Sequence, residues 1–385
     1  MLQSASFFLS KWPLSTTSLL YNNMTSQNRS HSSMESLLDV QRLVEDDDDV
    51  FVDQNRPDPA LKGQGDRVFG GITLGQSLNA VQQTVGPDFV AHAMHCTFVS
   101  GRNATAAVKF HVERIKDGRQ FCVRSVRAVQ DQRTFFLALV NFTKFTTETI
   151  ETIKGGSLQY GLHFPHDVPT PPAEYDDDER SSNNTIPFLH HSVGIRLSEP
   201  SSSSSSSSSP DNTSARIHQW MRAREPISSQ NGPNTGAHLA ALACMSDTYL
   251  LAAAPHSHGI YDFASPPMSE VYDGHHRLSL PLASHQPIPR PHLNFPRGKG
   301  ESDHQVTAVT AVTAMASLDH SLYFHDPVRL RADQWLLAEI HSSWAGGGRV
   351  LVHMNIWGRD GTLVASCTQE GLVSVGDIPK KESRL

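Results

Sequence analysis

The feature that most limits how this chain can fold is that it carries one pattern twice. The stretch "RQFCVRSVRAVQDQRTFFLALVNF" (Arg119 to Phe142) falls without a gap on "GRVLVHMNIWGRDGTLVASCTQEG" (Gly348 to Gly371). Phe121 and Val123 meet Val350 and Val352 on one face, and Asp131 meets Asp360 at the turn. Likewise "AHAMHCTFV" (Ala91 to Val99) falls on "SLDHSLYFH" (Ser317 to His325), with Phe98 on Phe324. Two copies of one supersecondary unit are the economical reading, so the fold of either half constrains the other.

Each copy joins a helical period to a strand period. In "VFGGITLGQSLNAVQQTVG" the residues Leu74, Leu78, Val81 and Val85 form one apolar face, and Gly86-Pro87 closes the pattern. The runs that follow, "MHCTFV", "AAVKFHVERI", "QFCVRSVRAVQ" and "TFFLALVNFTKF", alternate with a period of two and are joined by turn-rich pieces. A helix followed by an antiparallel meander predicts an α+β unit. The second copy opens with "GAHLAALACMSDTYLLAAA", read as one helix, and a short helix is expected in "MESLLDVQRLV" from Leu37, Leu38, Val40 and Leu43.

These patterns divide the chain into a disordered leader over 1–34, a first unit over 35–145, a low-complexity linker over 146–215, a second unit over 216–375 and a tail over 376–385. The linker contains "VPTPPAEYDDDER" and the unbroken serines Ser201 to Ser209, and a proline-, serine- and histidine-rich insertion interrupts the second unit over about 262–303.

Bulk composition excludes several functions. A net charge of -7 with dispersed Lys and Arg offers no basic field for nucleic acid. No apolar run approaches the ~20 residues of a membrane span. The 21 histidines cluster at His190-His191, His256/His258 and His275-His276 without the spacing or cysteine partners of a metal site, so no metal or other cofactor is expected. Cys96, Cys122, Cys244 and Cys367 lie far apart in apolar contexts and read as buried thiols. The last three residues, Ser383-Arg384-Leu385, are the arginine variant of the Ser-Lys-Leu peroxisomal address, which predicts a matrix location reached through the import receptor.

The duplication supplies its own control for function, because differences between the copies isolate what folding does not need. Gln369, in "VASCTQEGLVSV", stands where the first copy has Val140, and Ser317 stands where it has Ala91. Asp247 interrupts the apolar helix pattern, one turn from Cys244. Burying each polar group costs about 1 to 3 kcal/mol unless it is hydrogen-bonded. A carboxylate, a hydroxyl and a carboxamide together can hold a water, the carboxylate taking its proton, and need no covalent nucleophile. Hydrolysis of an activated acyl group such as a thioester is the reaction that suits them, with backbone amides near a helix start as oxyanion donors. No GxSxG, GxGxxG or Walker sequence competes.

Five stretches, "RVFGGITLGQSL", "DGRQFCVRSVRAVQ", "SDTYLL", "SLDHSLYFH" and "DGTLVASCTQEGL", resemble the type II acyl-CoA thioesterases. The resemblance implies a double hotdog fold, two tandem units each a long helix wrapped by an antiparallel sheet. It also implies a site of Asp247, Ser317 and Gln369 orienting water toward a fatty acyl-CoA, with homo-oligomers as a family-level expectation. The chain departs from the family in having "SGRNAT" after "HCTFV" and a long insertion between Asp247 and Ser317. A hotdog protein that binds acyl-CoA or a protein partner without hydrolysis is the competing expectation. A hydratase on the same fold would need a His near Asp247 that "SDTYLL" lacks.

Overall fold

The computed structural model describes residues 32–44, 49–55, 57, 61, 67–145, 158, 160–166, 168–171, 186–197, 215–228, 234–264 and 308–379. Most of the leader, the Ser383-Arg384-Leu385 tripeptide and nearly all of the insertion lie outside the described residues.

In chain order the first half comprises α1 (Ser33–Leu38), β1 (Val40–Arg42), β2 (Asp49–Asp53), α2 (Gly70–Gln82), β3 (Phe89–Phe98), β4 (Lys109–Asp117), β5 (Phe121–Gln130) and β6 (Arg133–Lys144). The second comprises β7 (Phe188–Leu197), β8 (Ala215–Ala223), α3 (Thr235–Ser246), α4 (Ala253–Ser257), β9 (Asp262–Phe263), β10 (Ala308–Ser317), β11 (Asp319–Phe324), β12 (Leu336–Gly346), β13 (Arg349–Trp357) and β14 (Leu363–Pro379). All fourteen strands among the described residues join one sheet, with β10 pairing beside β14 and β9 beside β10.

The internal repeat is visible in the strand order. Outward from the centre the first half runs β3, β6, β5, β4, β2 and the second runs β11, β14, β13, β12, β8. The two halves meet where β3 pairs antiparallel with β11, from Thr97 opposite Asp319 to Ala93 opposite Tyr323. The matched hairpin turns use left-handed backbone at matched places, Gln132 with φ 62° and Gly361 with φ 81°. Antiparallel hairpins with this geometry match the right-handed strand twist.

The helices pack against the sheet and against each other. Ile72, Leu74, Leu78, Ala80 and Val81 of α2 are buried, and so is every residue of α3 from His238 to Ser246. The approach of α2 to α3 depends on two glycines one turn apart. A Cβ at Gly71 would fall 2.1 Å from the Cys244 carbonyl oxygen, and one at Gly75 would fall 2.8 Å from that of Ala240. No other residue fits that spacing. All four cysteines are reduced and buried.

Four expectations change. The helix expected through Leu43 stops at Leu38, because Asp39 is extended and Val40 to Arg42 pair with β2. α2 has 13 residues and ends at Gln82, short of Gly86-Pro87. α3 has 12 and ends at Ser246, so Asp247 is its C-cap, not an interior residue. Finally, the stretch 146–215 is not linker throughout: β7 pairs with β8, Phe188 lying opposite Ala223 and Leu197 opposite Ala215. Leu189 and Val193 of β7 pack with Phe164 against Trp220, Trp335 and Leu337. Prolines, serines and paired histidines around these apolar residues hid the strand's alternation.

Candidate active site

Asp247 stands at the point where α3 stops. Ser246 turns its hydroxyl back to the Ala243 carbonyl at 3.0 Å, Thr248 N–H bonds Met245 O at 3.0 Å, and Tyr249 takes a left-handed φ of 65°. Short polar side chains that bond nearby backbone favour helix ends over helix interiors. The turn aims the Asp247 carboxylate across the helix pair toward the start of α2.

There Asp247 Oδ1 accepts a hydrogen bond from Gln369 Nε2 at 2.7 Å and one from Ser317 Oγ at 3.3 Å. The Gly71 amide also donates to the carboxylate. α2 has no side-chain cap of its own, its N-cap being Phe69, so a carboxylate from the second unit meets the electropositive end of a helix from the first. A Cβ at Gly70 would lie 2.7 Å from Asp247 Oδ2. Burial pushes the Asp247 carboxyl up to about 6, against the pull of these three hydrogen bonds.

The other two residues come from the sheet. Ser317 ends β10 opposite Gly371 of β14, just before the chain bends at Leu318 into β11. Gln369 does not break the alternation of β14. Cys367, Gln369 and Gly371 face inward and are buried, whereas Thr368 and Glu370 face outward, Glu370 accepting from Arg349 at 2.8 Å. Gln369 is thus a polar residue in an apolar position, and its Oε1 has no partner among the described residues. In the first unit Val140 and Ala91 occupy the matching positions, both fully buried, and the C-cap of α2 is Gln83, which donates to Val40 O at 3.0 Å.

Asp247 and Ser317 open onto a cavity of about 530 Å³, with Gln369 buried behind them. Its apolar wall draws Val68, Phe98 and Phe135 from the first unit and Leu251, Phe263 and Met315 from the second, and Arg67 lies on its lining. The volume suits a small or chain-like apolar ligand held by few polar groups. No thiol beside the site is poised as a nucleophile: burial raises Cys96, Cys244 and Cys367 well above the ordinary thiol range. His320, behind them, is pushed down to about 3 by burial and stays neutral, its Nε2 lying 3.0 Å from Ser246 Oγ.

All three residues singled out in the sequence therefore meet, through Asp247 Oδ1. Missed were Gly70 and Gly71, whose pairing before a helix was visible but whose partner in the other unit was not. Missed too was Tyr249, whose left-handed backbone no residue-type signal announces.

Two family models match the chain: the acyl-CoA thioesterase N-terminal domain over residues 57–143 and the acyl-CoA thioesterase C-terminal domain over residues 165–373. Acyl-coenzyme A thioesterase 8 from Mus musculus is 30% identical over 319 residues, covering 80% of each chain. The peroxisomal acyl-coenzyme A thioester hydrolase 1 of Saccharomyces cerevisiae is 21% identical, covering 92% of this chain and 97% of that protein. A solved hotdog-fold protein from Alicyclobacillus acidocaldarius superposes with a TM-score of 0.51 at 17% identity, over 89% of this chain and 98% of its own, a likeness of fold alone. The chain has a hotdog fold and belongs to the type II acyl-CoA thioesterase family of thioester hydrolases.

Proposed function

We propose that the enzyme hydrolyses fatty acyl-CoA to a free fatty acid and CoA, with Asp247 as general base and Ser317 and Gln369 orienting the attacking water. The observation that carries this reading is the convergence of the Ser317 hydroxyl and the Gln369 amide on one oxygen of Asp247, at the wall of an apolar cavity. A carboxylate with a pKa of about 6 is largely ionised at neutral pH and is a stronger base than an ordinary aspartate.

Water adds to the thioester carbonyl as its proton passes to Asp247, and the C=O electrons move onto oxygen. Collapse of the tetrahedral oxyanion breaks the C–S bond, and the proton on Asp247 goes to the departing CoA sulfur. Backbone amides near the start of α2 are the oxyanion donors we favour, since a helix start supplies both free N–H groups and positive potential. CoA is a product and no cofactor takes part.

The finer architecture belongs to the same reading: two tandem hotdogs over 35–145 and 216–375, each a helix cradled by its half of the sheet. Ser383-Arg384-Leu385 supports import into the peroxisomal matrix through the import receptor, and the likeness to a yeast protein named as peroxisomal agrees with it. Self-association of the double unit is expected at the family level.

The experiment is incubation of the full chain with long-chain acyl-CoA and a thiol reagent. Free CoA should accumulate with the wild type and not with Asp247→Asn. Binding without CoA release in the wild type would establish the alternative, a non-hydrolytic acyl-CoA-binding protein.

A further inference from the structure

Of the three non-glycine residues with positive φ among those described, Asp131 and Gln132 sit in a hairpin turn that requires it, and the third is Tyr249 at 65°. A bulky aromatic residue is seldom found there, and it persists only where surrounding contacts over-determine it. Those contacts are present. The Tyr249 hydroxyl and His256 Nδ1 share a short hydrogen bond, and the two rings lie 5.2 Å apart. His256, buried in α4, also packs against Tyr261 at 5.3 Å and Phe263 at 5.6 Å.

These contacts form a closed circuit through the site. Asp247 leads by two residues to Tyr249, which is tied to His256, which packs on Phe263. Phe263 lies opposite Val312 in the parallel pairing of β9 with β10. β10 ends in Ser317, whose hydroxyl returns to Asp247 at 3.3 Å. The cluster thus links the turn carrying the carboxylate to the strand carrying the hydroxyl. Tyr249 is among the residues lining the cavity, and its hydroxyl is engaged by His256.

We propose that Tyr249, held by His256, is a positioning residue for Asp247: the bond between them fixes the turn after α3 and with it the aim of the carboxylate at Ser317, Gln369 and the start of α2. The inference rests on the reading of Asp247 as the base. Releasing the turn lets the carboxylate swing and take up water, so the rate falls and the group titrates lower. The titratable groups facing Asp247 from the packed elements are the thiols of Cys96, Cys244 and Cys367, with Asp319 beyond them, and the raised thiols stay neutral throughout.

The test compares the full chain with Tyr249→Phe, His256→Asn and Asp247→Asn for lauroyl-CoA hydrolysis across pH, with thermal unfolding of each. For Tyr249→Phe we expect kcat to fall about tenfold or more, KM to stay within about twofold, and the acid limb of kcat to move to lower pH. His256→Asn, whose amide oxygen can accept from the Tyr249 hydroxyl, should recover most of the rate. Should Tyr249→Phe unfold early, Tyr249→Asn, at ease in the left-handed region, replaces it with the same expectation. A wild-type kcat and an unmoved acid limb in a folded Tyr249 variant, or a loss confined to KM, overturns the inference. A wild-type rate in Asp247→Asn would instead overturn the reading of Asp247 on which it rests.

Discussion

Gln369 Nε2 lies 2.7 Å from Asp247 Oδ1 although 122 residues separate them in the chain. The first unit has the same strands without this bond, and Val140 fills the place of Gln369. The amide therefore contributes something the fold does not require.

Replacing Asp247 by Asn keeps its shape and removes its basicity. Hydrolysis should fall about 10²- to 10⁴-fold, the usual worth of a general base, as read by the rate of CoA thiol release at saturating substrate. A loss smaller than about tenfold would assign proton removal to another group.

Activity and stability should depend on pH in opposite senses. Asp247 titrates at about 6, so kcat should rise as pH increases through that value and level above it. The folded pKa is raised above the ordinary 3.8, so the folded state holds the proton more tightly than the unfolded chain. Stability from this group is full below the ordinary value, declines as pH rises to about 6, and is flat beyond. At neutral pH Asp247→Asn should therefore be more stable than wild type by about 1 to 3 kcal/mol, measurable by urea unfolding. Equal stability at neutral pH together with an acid limb near 4 would show the carboxylate to be well solvated.

Gln369→Val borrows the first unit's solution. Loss of the amide removes a group that holds the carboxylate's pKa down, so the acid limb should shift above about 6 and kcat should fall by about 10². The melting temperature should change little, because the buried Oε1 without a partner disappears with the amide. An unchanged acid limb would break the link between Gln369 and Asp247.

Gly71→Ala tests the junction of the helices. The added methyl would sit 2.1 Å from the Cys244 carbonyl, so α2 and α3 must part. We expect a loss of about 1 to 3 kcal/mol in stability and a slower enzyme, whereas Gly86→Ala, with its nearest atom at 3.8 Å, should be close to neutral. Comparable midpoints for the two variants would mean the helix contact is softer than it looks.

Much of this was legible in the chain. The repeat set the two halves of the sheet in advance, because "RQFCVRSVRAVQDQRTFF" and its later copy share both period and turn, and the turn residues Gln132 and Gly361 do adopt the same hand. Asp247, Ser317 and Gln369 stood out because apolar residues sufficed elsewhere. Less legible was whatever depended on long-range partners. The alanines and leucines that continue past Asp247 extend the helical pattern, while local bonds from Ser246 and Thr248 and the Tyr249 backbone end the helix first. β7 was hidden because its fate depends on Trp220 and Trp335, which no local window contains.

The hydrogen bond from Gly71 to Asp247 has a consequence for how this chain could be divided. Cut between the repeats, it would leave two fragments that each lack part of the cavity wall, and the second would carry the Asp247 carboxylate without the Gly71 amide. Mixed together, such fragments would behave as an enzyme whose turnover depends on their encounter and grows with the concentration of both. In the single chain the two halves are joined edge to edge where β3 pairs with β11, so the two walls meet without any such encounter.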